Sequence, residues 1–393
     1  MTAKDILGNS DYTAISYGGY RKTTRDIQPT IAQIKEDLKI LQAINIKVLR
    51  TYNVQLAQAP NLLKAISELK AEDSAFEMYV MLGAWIDCKN AWTEFHPDHT
   101  LESEQNEGEI ARAVALANQY PDIVIIIAVG NEAMIRWAES YYVQPEVILK
   151  WVNYLQGLKK AGKLSKDLWV TSSDDFTSWG GGDHSYRSKD LEDLIKAVDY
   201  VSMHTYAYHN THYHPQFWKT PKENENLSNI KKIDAAMIRA KKFAMSQYNA
   251  VSDYVKSIDP EKSIHIGETG WATVSNGHYG PNGSRATDEY KEALYYNHLM
   301  EWTKEEGISC FYFEAFDEPW KDAHNKYGSE NHFGLITVDG KAKYALWDLV
   351  DKGALEGLKR DGNAMSKSYD GNKEAILLEV LTPPVKPEMS LTH

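Results

Sequence analysis

The chain is poor in cysteine, in basic charge and in long apolar runs. Its 393 residues include only two cysteines, too few for a disulfide framework. Cys88 and Cys310 lie outside any CxxC or Cys/His metal spacing, so we interpret both as unpaired, buried thiols. The 43 Lys and Arg against 55 Asp and Glu give a net charge of -12, and no basic run stands out that would neutralise phosphates. We therefore expect no nucleic-acid partner.

Membrane and nucleotide signatures are also missing. The longest apolar run, from Ile123 to Val129, is strand-sized, whereas a membrane span needs roughly 18 apolar residues. Neither GxGxxG after the first apolar run nor GxxxxGK[ST] anywhere in the chain occurs. The N-terminus, MTAKDILGNSDY, lacks the basic start and apolar stretch of a signal peptide. The chain is thus either cytosolic or a mature form whose leader has been removed.

The chain does contain a regular alternation of short apolar runs with helix-length segments. Eight runs rich in Val, Ile and Tyr are candidate strands, at 13–20, 46–54, 77–85, 122–132, 168–176, 199–208, 263–271 and 308–316. Between them apolar residues recur at three- and four-residue spacing, as at Ile31, Ile34, Leu38 and Leu41. Eight strands, each followed by a helix, predict an α/β fold, a (β/α)8 TIM barrel in a single domain. A doubly wound open sheet is the alternative.

The two ends of the chain differ in composition. We assign the catalytic barrel to residues 1–350. Residues 351–393 are predicted to form a C-terminal helix followed by a tail or linker, because the last stretch, LTPPVKPEMSLTH at 381–393, is rich in proline and polar residues.

Two glutamates stand at equivalent strand ends. Glu132 ends the fourth candidate strand and Glu268 the seventh. Active sites of (β/α)8 barrels lie at the C-terminal ends of the strands, so both side chains can point into one mouth. Either glutamate alone would fit a helix cap or a surface ion pair. Together they fit the cleavage of glycosidic bonds, in which one protonated carboxyl donates to the leaving oxygen and the other attacks the sugar.

Several motifs resemble those of glycoside hydrolase family 17, the β-1,3-glucanases and β-1,3-glucanosyltransferases. They are SYGGYR (16–21), LRTYN (49–53), VGNE (129–132), GETGW (267–271), YFEAFDEPWK (312–321) and HFGLITVDGKAKY (332–344). The resemblance runs from about residue 13 to about residue 346. Ala272 is a departure, since many members have proline after the tryptophan of GETGW.

The resemblance implies a role for each matching residue. Glu132 is implied to be the general acid/base and Glu268 the nucleophile of a retaining mechanism. Asn131 is implied to hydrogen-bond the 2-hydroxyl of the sugar in the subsite where the glycosidic bond is cleaved. The other positions implied to bind substrate or to lie near the pair are Tyr17, Arg50, Tyr52, Tyr206, Glu318 and Lys321.

Aromatic residues near strand ends are candidate platforms for sugar rings, because a flat ring with a polar edge stacks on the apolar face of a pyranose. We predict this role for Trp271 and Trp320. Trp85, Trp137 and Trp179 also follow strand ends and are weaker candidates, since most aromatic residues belong to the core.

Four histidines allow a different interpretation. His204, His209, His212 and His214 lie close together in sequence, and two histidines two residues apart in an extended segment face the same way. Such a pair, with a nearby carboxylate, is able to seed a Zn²⁺ site for metal-assisted hydrolysis. Neither HExxH nor a cysteine-rich partner accompanies them, so we favour histidines that are solvated or bound to sugar hydroxyls.

The sequence therefore predicts a retaining endo-β-1,3-glucanase that needs no cofactor or metal and acts as a monomer on a neutral polysaccharide or oligosaccharide. A β-1,3-glucanosyltransferase using the same site is the alternative, with a sugar hydroxyl in place of water. A non-catalytic glucan-binding barrel is a more distant one. Because a long polysaccharide does not enter the cytosol intact, we expect a secreted, periplasmic or cell-surface protein.

Overall fold

A computed structural model of the protein describes residues 1–385, and its centre is a closed barrel of eight parallel strands. In chain order the strands are Thr13–Ser16, Ile46–Arg50, Tyr79–Ala84, Val124–Asn131, Trp169–Asp175, Val201–His204, Ile264–Gly270 and Cys310–Phe313. Each strand pairs with its neighbours in the chain, and the first pairs with the eighth. The prediction of a single-domain (β/α)8 TIM barrel is confirmed, and the open-sheet alternative is wrong.

Helices surround the barrel. The longer ones are Ile31–Ala43, Gln58–Glu72, Gln105–Gln119, Pro145–Lys160, Lys189–Ala197, Asn229–Ile258 and Glu289–Glu305. Shorter ones lie at Ala3–Ile6, Ala207–Tyr213, Trp347–Asp351 and Lys373–Glu379. Several begin at a side-chain cap: Thr30, Ser188 and Asp288 each accept a backbone N–H from the first turn of the helix that follows. Within residues 1–385, every helix is too short or too polar to cross a membrane.

The barrel strands are buried on both faces, which explains their continuous apolar runs. In the fourth strand Ile126 and Ala128 belong to the interior cluster, whereas Ile127 and Val129 pack with the surrounding helices. Ile6, in the short N-terminal helix, is fully buried in the same interior cluster. This apolar packing closes the N-terminal end of the barrel.

One short hairpin lies outside the alternation of barrel strands and helices. After the third strand, Cys88–Lys89 pairs with Asp98–Glu102 as an antiparallel hairpin. Cys88 and Cys310 are both buried and unpaired, as the sequence predicts.

The segment beyond residue 350 packs against the barrel layer through a buried ionic cluster. Asp37, in the helix Ile31–Ala43, accepts hydrogen bonds from Arg360 Nε at 2.9 Å, Arg21 Nη2 at 2.9 Å and the Tyr17 hydroxyl at 3.0 Å. Asp37 and Arg360 are fully buried. The helix Lys373–Glu379 lies in the region predicted to contain a C-terminal helix, and residues 386–393 of the predicted tail lie outside the described residues. The division at residue 350 stays a prediction.

The buried cluster predicts a stability effect. Replacing Asp37 with Asn removes the charge that faces both Arg21 and Arg360, and leaving buried charges uncompensated costs on the order of 3–5 kcal/mol. Urea unfolding should show a fall of that size in the free energy of unfolding. Lys35→Ala is the control, because Lys35 pairs with Glu68 and Glu72 at the surface, and it should leave the unfolding curve nearly unchanged. Equal stability of the Asp37 variant and the parent would contradict the proposed role of the cluster.

Candidate active site

Glu132 and Glu268 meet at the C-terminal mouth of the barrel. Glu268 lies in the seventh strand, and Glu132 directly follows the fourth. One carboxylate oxygen from each glutamate and one ring nitrogen of His204 all lie within 4.8 Å of one another. The two side chains are largely buried, with 16% of Glu132 and 9% of Glu268 exposed. The pair singled out by its strand-end positions is thus a pair in space.

The backbone around Glu132 is unusual and is held by the fifth strand. Glu132 has a φ of +47°, a left-handed conformation that is uncommon for residues other than glycine and is tolerated where the surroundings enforce it. Its N–H donates to the Ser173 carbonyl at 2.9 Å. Two residues on, the Met134 N–H donates to Asp174 Oδ2 at 2.7 Å. These bonds fix the turn from which the Glu132 side chain projects.

Glu268 is surrounded by donors. Its Oε2 accepts from Arg50 Nη1 at 2.6 Å and from the Tyr52 hydroxyl at 2.7 Å, and its Oε1 accepts from the Tyr206 hydroxyl at 2.5 Å. Burial alone would raise the pKa of Glu268, but His204, Arg50 and the two tyrosine hydroxyls together lower it to about 2. Glu268 is therefore ionised at neutral pH.

Arg50 lies beneath the cleft rather than in its wall. Its side chain is 1% exposed, and its guanidinium also donates to the Gly267 carbonyl at 2.7 Å and to Asn131 Oδ1 at 2.5 Å. The expectation that Arg50 binds substrate is corrected, because a buried guanidinium with these partners acts on Glu268 and Asn131 instead. Tyr206, which was also implied to bind substrate or to lie near the pair, contacts Glu268 directly through its hydroxyl.

Glu132 has the opposite electrostatic environment. Burial and the negative charge of Glu268 raise the pKa of Glu132 to about 8; Arg50 opposes this rise and Glu330 adds slightly to it. Its Oε1 lies 3.0 Å from His204 Nδ1, and His204 Nε2 lies 2.8 Å from Ser173 Oγ. Burial lowers the pKa of His204 to about 4, so the ring is neutral at pH 7. A protonated Glu132 then donates to Nδ1, and the Nε2–H donates to Ser173.

An open cleft of about 900 Å³ lies in front of the pair. Apart from the weaker aromatic candidates, seven of the residues predicted from the sequence line it: Tyr17, Tyr52, Asn131, Glu268, Glu318, Trp320 and Lys321. Trp320 is fixed in the wall because its Nε1 donates to Glu318 Oε2 at 3.0 Å and Arg25 lies over its ring at 4.3 Å. Lys321 Nζ donates to Glu314 Oε2 at 2.9 Å and lies 3.6 Å from Glu318. The charged cluster that follows the eighth strand is therefore part of the cleft.

Two aromatic predictions need correction. Trp271 is fully buried, and its indole donates to the Ala286 carbonyl at 2.8 Å, so it has no free face for a sugar. Tyr17 borders the cleft, but it is only 1% exposed and its hydroxyl donates to Asp37 on the far side of the strand. Of the weaker candidates, Trp179 is fully buried, whereas Trp85 lines the cleft.

The structure does not bring the four histidines together. His204 lies at the end of the sixth strand beside Glu132, while His209 Nδ1 contacts the Tyr279 hydroxyl at 3.1 Å and His212 stacks on His278. Within residues 1–385, the group with metal-ligand spacing consists of Glu132, His204 and Glu268, and none of the three later histidines belongs to it.

Sequence reasoning missed two residues that bear on the site. His204 was considered as a metal ligand, or as a solvated or sugar-bound histidine, but not as a partner of Glu132, although it ends a barrel strand. Glu330 lines the cleft from a three-residue 3-10 helix, Ser329–Asn331, which is too short to give a periodic pattern, so its position depends on the folded chain.

A closed (β/α)8 barrel with a buried carboxylate pair at its mouth is the architecture of a glycoside hydrolase. The chain belongs to the BtgE/BtgC glycoside hydrolase domain family, whose sequence model matches residues 14–334. The predicted resemblance to the β-1,3-glucan-active glycoside hydrolases is confirmed.

Named relatives agree with this family. A crystal structure of an endo-laminarinase from Formosa Hel1_33_131 is 66% identical, with a TM-score of 0.98 and 100% of both chains covered. A glucan 1,3-beta-glucosidase of Arthroderma benhamiae is 25% identical, covering 80% of this chain and 83% of its own. The probable glucan endo-1,3-beta-glucosidase btgC of Aspergillus flavus is 25% identical over 87% of this chain, which spans only 45% of that protein. A Rhizomucor miehei beta-1,3-glucanosyltransferase, 21% identical with a TM-score of 0.58 over 86% of this chain and 97% of its own, shares the fold.

The electrostatic coupling of the pair is testable. Glu268→Gln removes the negative charge that helps to hold the pKa of Glu132 at about 8, while Arg50 stays nearby, so the pKa of Glu132 should fall. Carbon-13 NMR titration of the labelled Glu132 carboxyl measures the change. Glu330→Gln is the matched control, since it removes the same charge from a weaker contributor and should lower the pKa less. An unchanged or higher pKa in Glu268→Gln would contradict the facing arrangement.

Proposed function

We propose that the protein is a retaining endo-β-1,3-glucanase that hydrolyses laminarin-like β-1,3-glucans. The observation that carries the proposal is the geometry of the pair: one oxygen of each carboxylate lies within 4.8 Å of the other, which favours the close pair of a retaining glycosidase, roughly 5–5.5 Å apart, over the roughly 6.5–9.5 Å of an inverting one. The endo-laminarinase that matches this chain over its whole length supports the substrate.

The ionisation of the two glutamates supports one role for each. Glu132, with a pKa of about 8, is protonated at neutral pH and acts as the general acid toward the glycosidic oxygen. Glu268, with a pKa of about 2, is ionised and attacks the anomeric carbon. After the leaving chain departs, Glu132 is ionised and takes a proton from water, which attacks the glycosyl ester and releases Glu268.

The donors around Glu268 suggest which oxygen attacks. Oε2 is held by both Arg50 and Tyr52, whereas Oε1 is held by the Tyr206 hydroxyl. The oxygen with fewer and uncharged partners is easier to free, so Oε1 forms the bond to carbon. Oε2 becomes the ester carbonyl oxygen, and its hydrogen bonds to Arg50 and Tyr52 remain. Asn131, oriented by Arg50 through its Oδ1, then presents its amide N–H groups to a sugar hydroxyl.

The same proposal extends to the setting in which the protein works. A long glucan does not cross a membrane intact, so we infer that the enzyme acts where polysaccharide is present, outside the cytosol.

Digestion of laminarin tests the activity. Proton NMR during the first turnovers should show new reducing ends in the β configuration, and chromatography should show a series of short oligosaccharides, because an open cleft accepts internal bonds. New α ends would indicate inversion, and products longer than the substrate would indicate transfer to a sugar instead of water. The same assay on intact producing cells, their medium and their lysate tests the location, and activity confined to the lysate would oppose it.

Azide tests the two roles separately. Glu268→Gly opens a gap on the α face of the sugar beside Arg50, whose charge favours an anion, so azide should convert an activated β-laminaribioside to the α-glycosyl azide. Glu132→Ala should lower activity on laminarin by roughly 100- to 10,000-fold, because protonation of the leaving oxygen is lost.

With an activated leaving group, the Glu132→Ala variant still forms the glycosyl ester on Glu268, and azide should then attack from the β face. The expected product is the β-glycosyl azide. The two variants thus serve as controls for each other. The same anomer from both, or rescue of neither, would overturn the assignment of Glu132 and Glu268.

A further inference from the structure

Three aromatic rings form one continuous surface along the cleft. Trp85 follows the third strand, Trp92 lies in the hairpin after it, and Tyr141 comes from the loop after the fourth strand. All three line the cleft. The ring centroids of Trp92 and Tyr141 lie 5.1 Å apart at an interplanar angle of 23°, and those of Trp85 and Tyr141 also lie 5.1 Å apart. We call these three residues the aromatic platform.

The platform is built into the fold. The Cys88 N–H donates to the Tyr141 carbonyl at 3.0 Å, which joins the hairpin to the loop after the fourth strand. Burial raises the pKa of Asp87, and hydrogen bonds to Ser103, Trp85 and Trp92 partly oppose that rise. Asp87, which lies between the two tryptophans in the chain, is held by Asn106: its N–H donates to Asn106 Oδ1 at 3.2 Å and its carbonyl accepts from Asn106 Nδ2 at 3.0 Å.

One end of the platform approaches the carboxylate pair. Tyr141 and Glu268 line the same cleft, so this end of the platform borders the cavity that holds the nucleophile. At the other end, 63% of the Trp92 side chain is exposed. The surface thus runs from the reacting centre toward solvent.

A single exposed tryptophan needs no explanation, but an exposed tryptophan that continues two further cleft-lining rings forms an apolar patch of the kind that marks a ligand-binding surface. The ring of Trp92 is polar only at the indole N–H, and one face of the ring stacks on Tyr141. What remains free is a flat apolar face, and the apolar face of a glucose ring is its complement.

We propose that the aromatic platform is a subsite for a glucose unit remote from the scissile bond, and that Trp92 makes the enzyme select long β-1,3-glucan chains over short oligosaccharides. This inference rests on the proposed function. The reacting sugars are held near Glu132 and Glu268, whereas only a longer chain reaches Trp92. Stacking there raises kcat/KM for polymers and leaves the shortest substrates unaffected.

The experiment compares two tryptophans of equal exposure. Trp92 and Trp137 are each 63% exposed, but Trp137 does not contribute to the lining of the cleft. Trp92→Ala should lower kcat/KM on laminarin by roughly 3- to 10-fold, mainly through KM, as expected for loss of one aromatic contact. Trp137→Ala should match the parent. Trp92→Phe keeps a flat ring and should recover most of the loss. Thermal unfolding of each variant confirms that the fold is intact.

A series of laminari-oligosaccharides decides the interpretation. Under the proposal, the ratio of kcat/KM between parent and Trp92→Ala is near one for the shortest substrate that is cleaved and rises with chain length to its laminarin value. An equal loss at every length would overturn the proposal, as would no loss on laminarin or the same loss in Trp137→Ala.

Affinity electrophoresis in gels containing laminarin separates failure of this inference from failure of the proposed function. If the parent is retarded and Trp92→Ala is less so, the platform binds glucan whatever the catalytic outcome. If the parent cleaves laminarin but both alanine variants are retarded like it, the inference fails while the enzyme assignment stands. If the parent neither cleaves laminarin nor is retarded by it, both proposals fail.

Discussion

Arg50 is the charge around which the mouth of the barrel is organised. From the end of the second strand, its guanidinium reaches Gly267 and Glu268 in the seventh strand and Asn131 at the end of the fourth. With 1% of its side chain exposed, it has little access to water, and breaking a buried pair costs on the order of 3–5 kcal/mol. Arg50 is thus the one side chain that holds both Glu268 and Asn131, while Tyr52 and Tyr206 add hydrogen bonds to Glu268.

The charge of Arg50 also makes the two glutamates differ in ionisation, although both are the same type of residue. Glu268 lies 2.6 Å from the Arg50 guanidinium, whereas Glu132 faces a neutral His204 and the negative charge of Glu268. Burial increases the contrast, because in a medium of low dielectric each neighbouring charge acts more strongly. One carboxyl is held ionised and the other protonated without any difference in residue type.

Much of this arrangement could be predicted from the sequence, because it depends on periodicity. The eight apolar runs predict the barrel, and the strand-end rule identifies Glu132 and Glu268. The alternation of side chains, applied strictly, would also have corrected Trp271. Since Glu268 points into the mouth, Thr269 and Trp271 point outward, and Thr269 indeed contacts Tyr295 in a surrounding helix. That error came from counting distance along the chain without assigning faces.

Contacts between remote segments have no such periodic signal. Asp37 and Arg360 are 323 residues apart, and no local pattern joins them. Trp92 lies in an irregular hairpin, so its place in the cleft follows only from the pairing of two short strands and from the contact of Cys88 with Tyr141.

The two ends of the barrel interior differ in composition and in their effect on stability. At the N-terminal end, Ile6 and its apolar neighbours fill the interior and add stability by burial. At the C-terminal end the interior carries Arg50, Glu132, His204 and Glu268, charged and polar groups whose desolvation opposes folding. The stability gained by apolar burial at the N-terminal end therefore offsets the desolvation cost of the charged groups at the C-terminal end. The chemistry is confined to the C-terminal end, where the strands end and the loops that follow them shape a cleft.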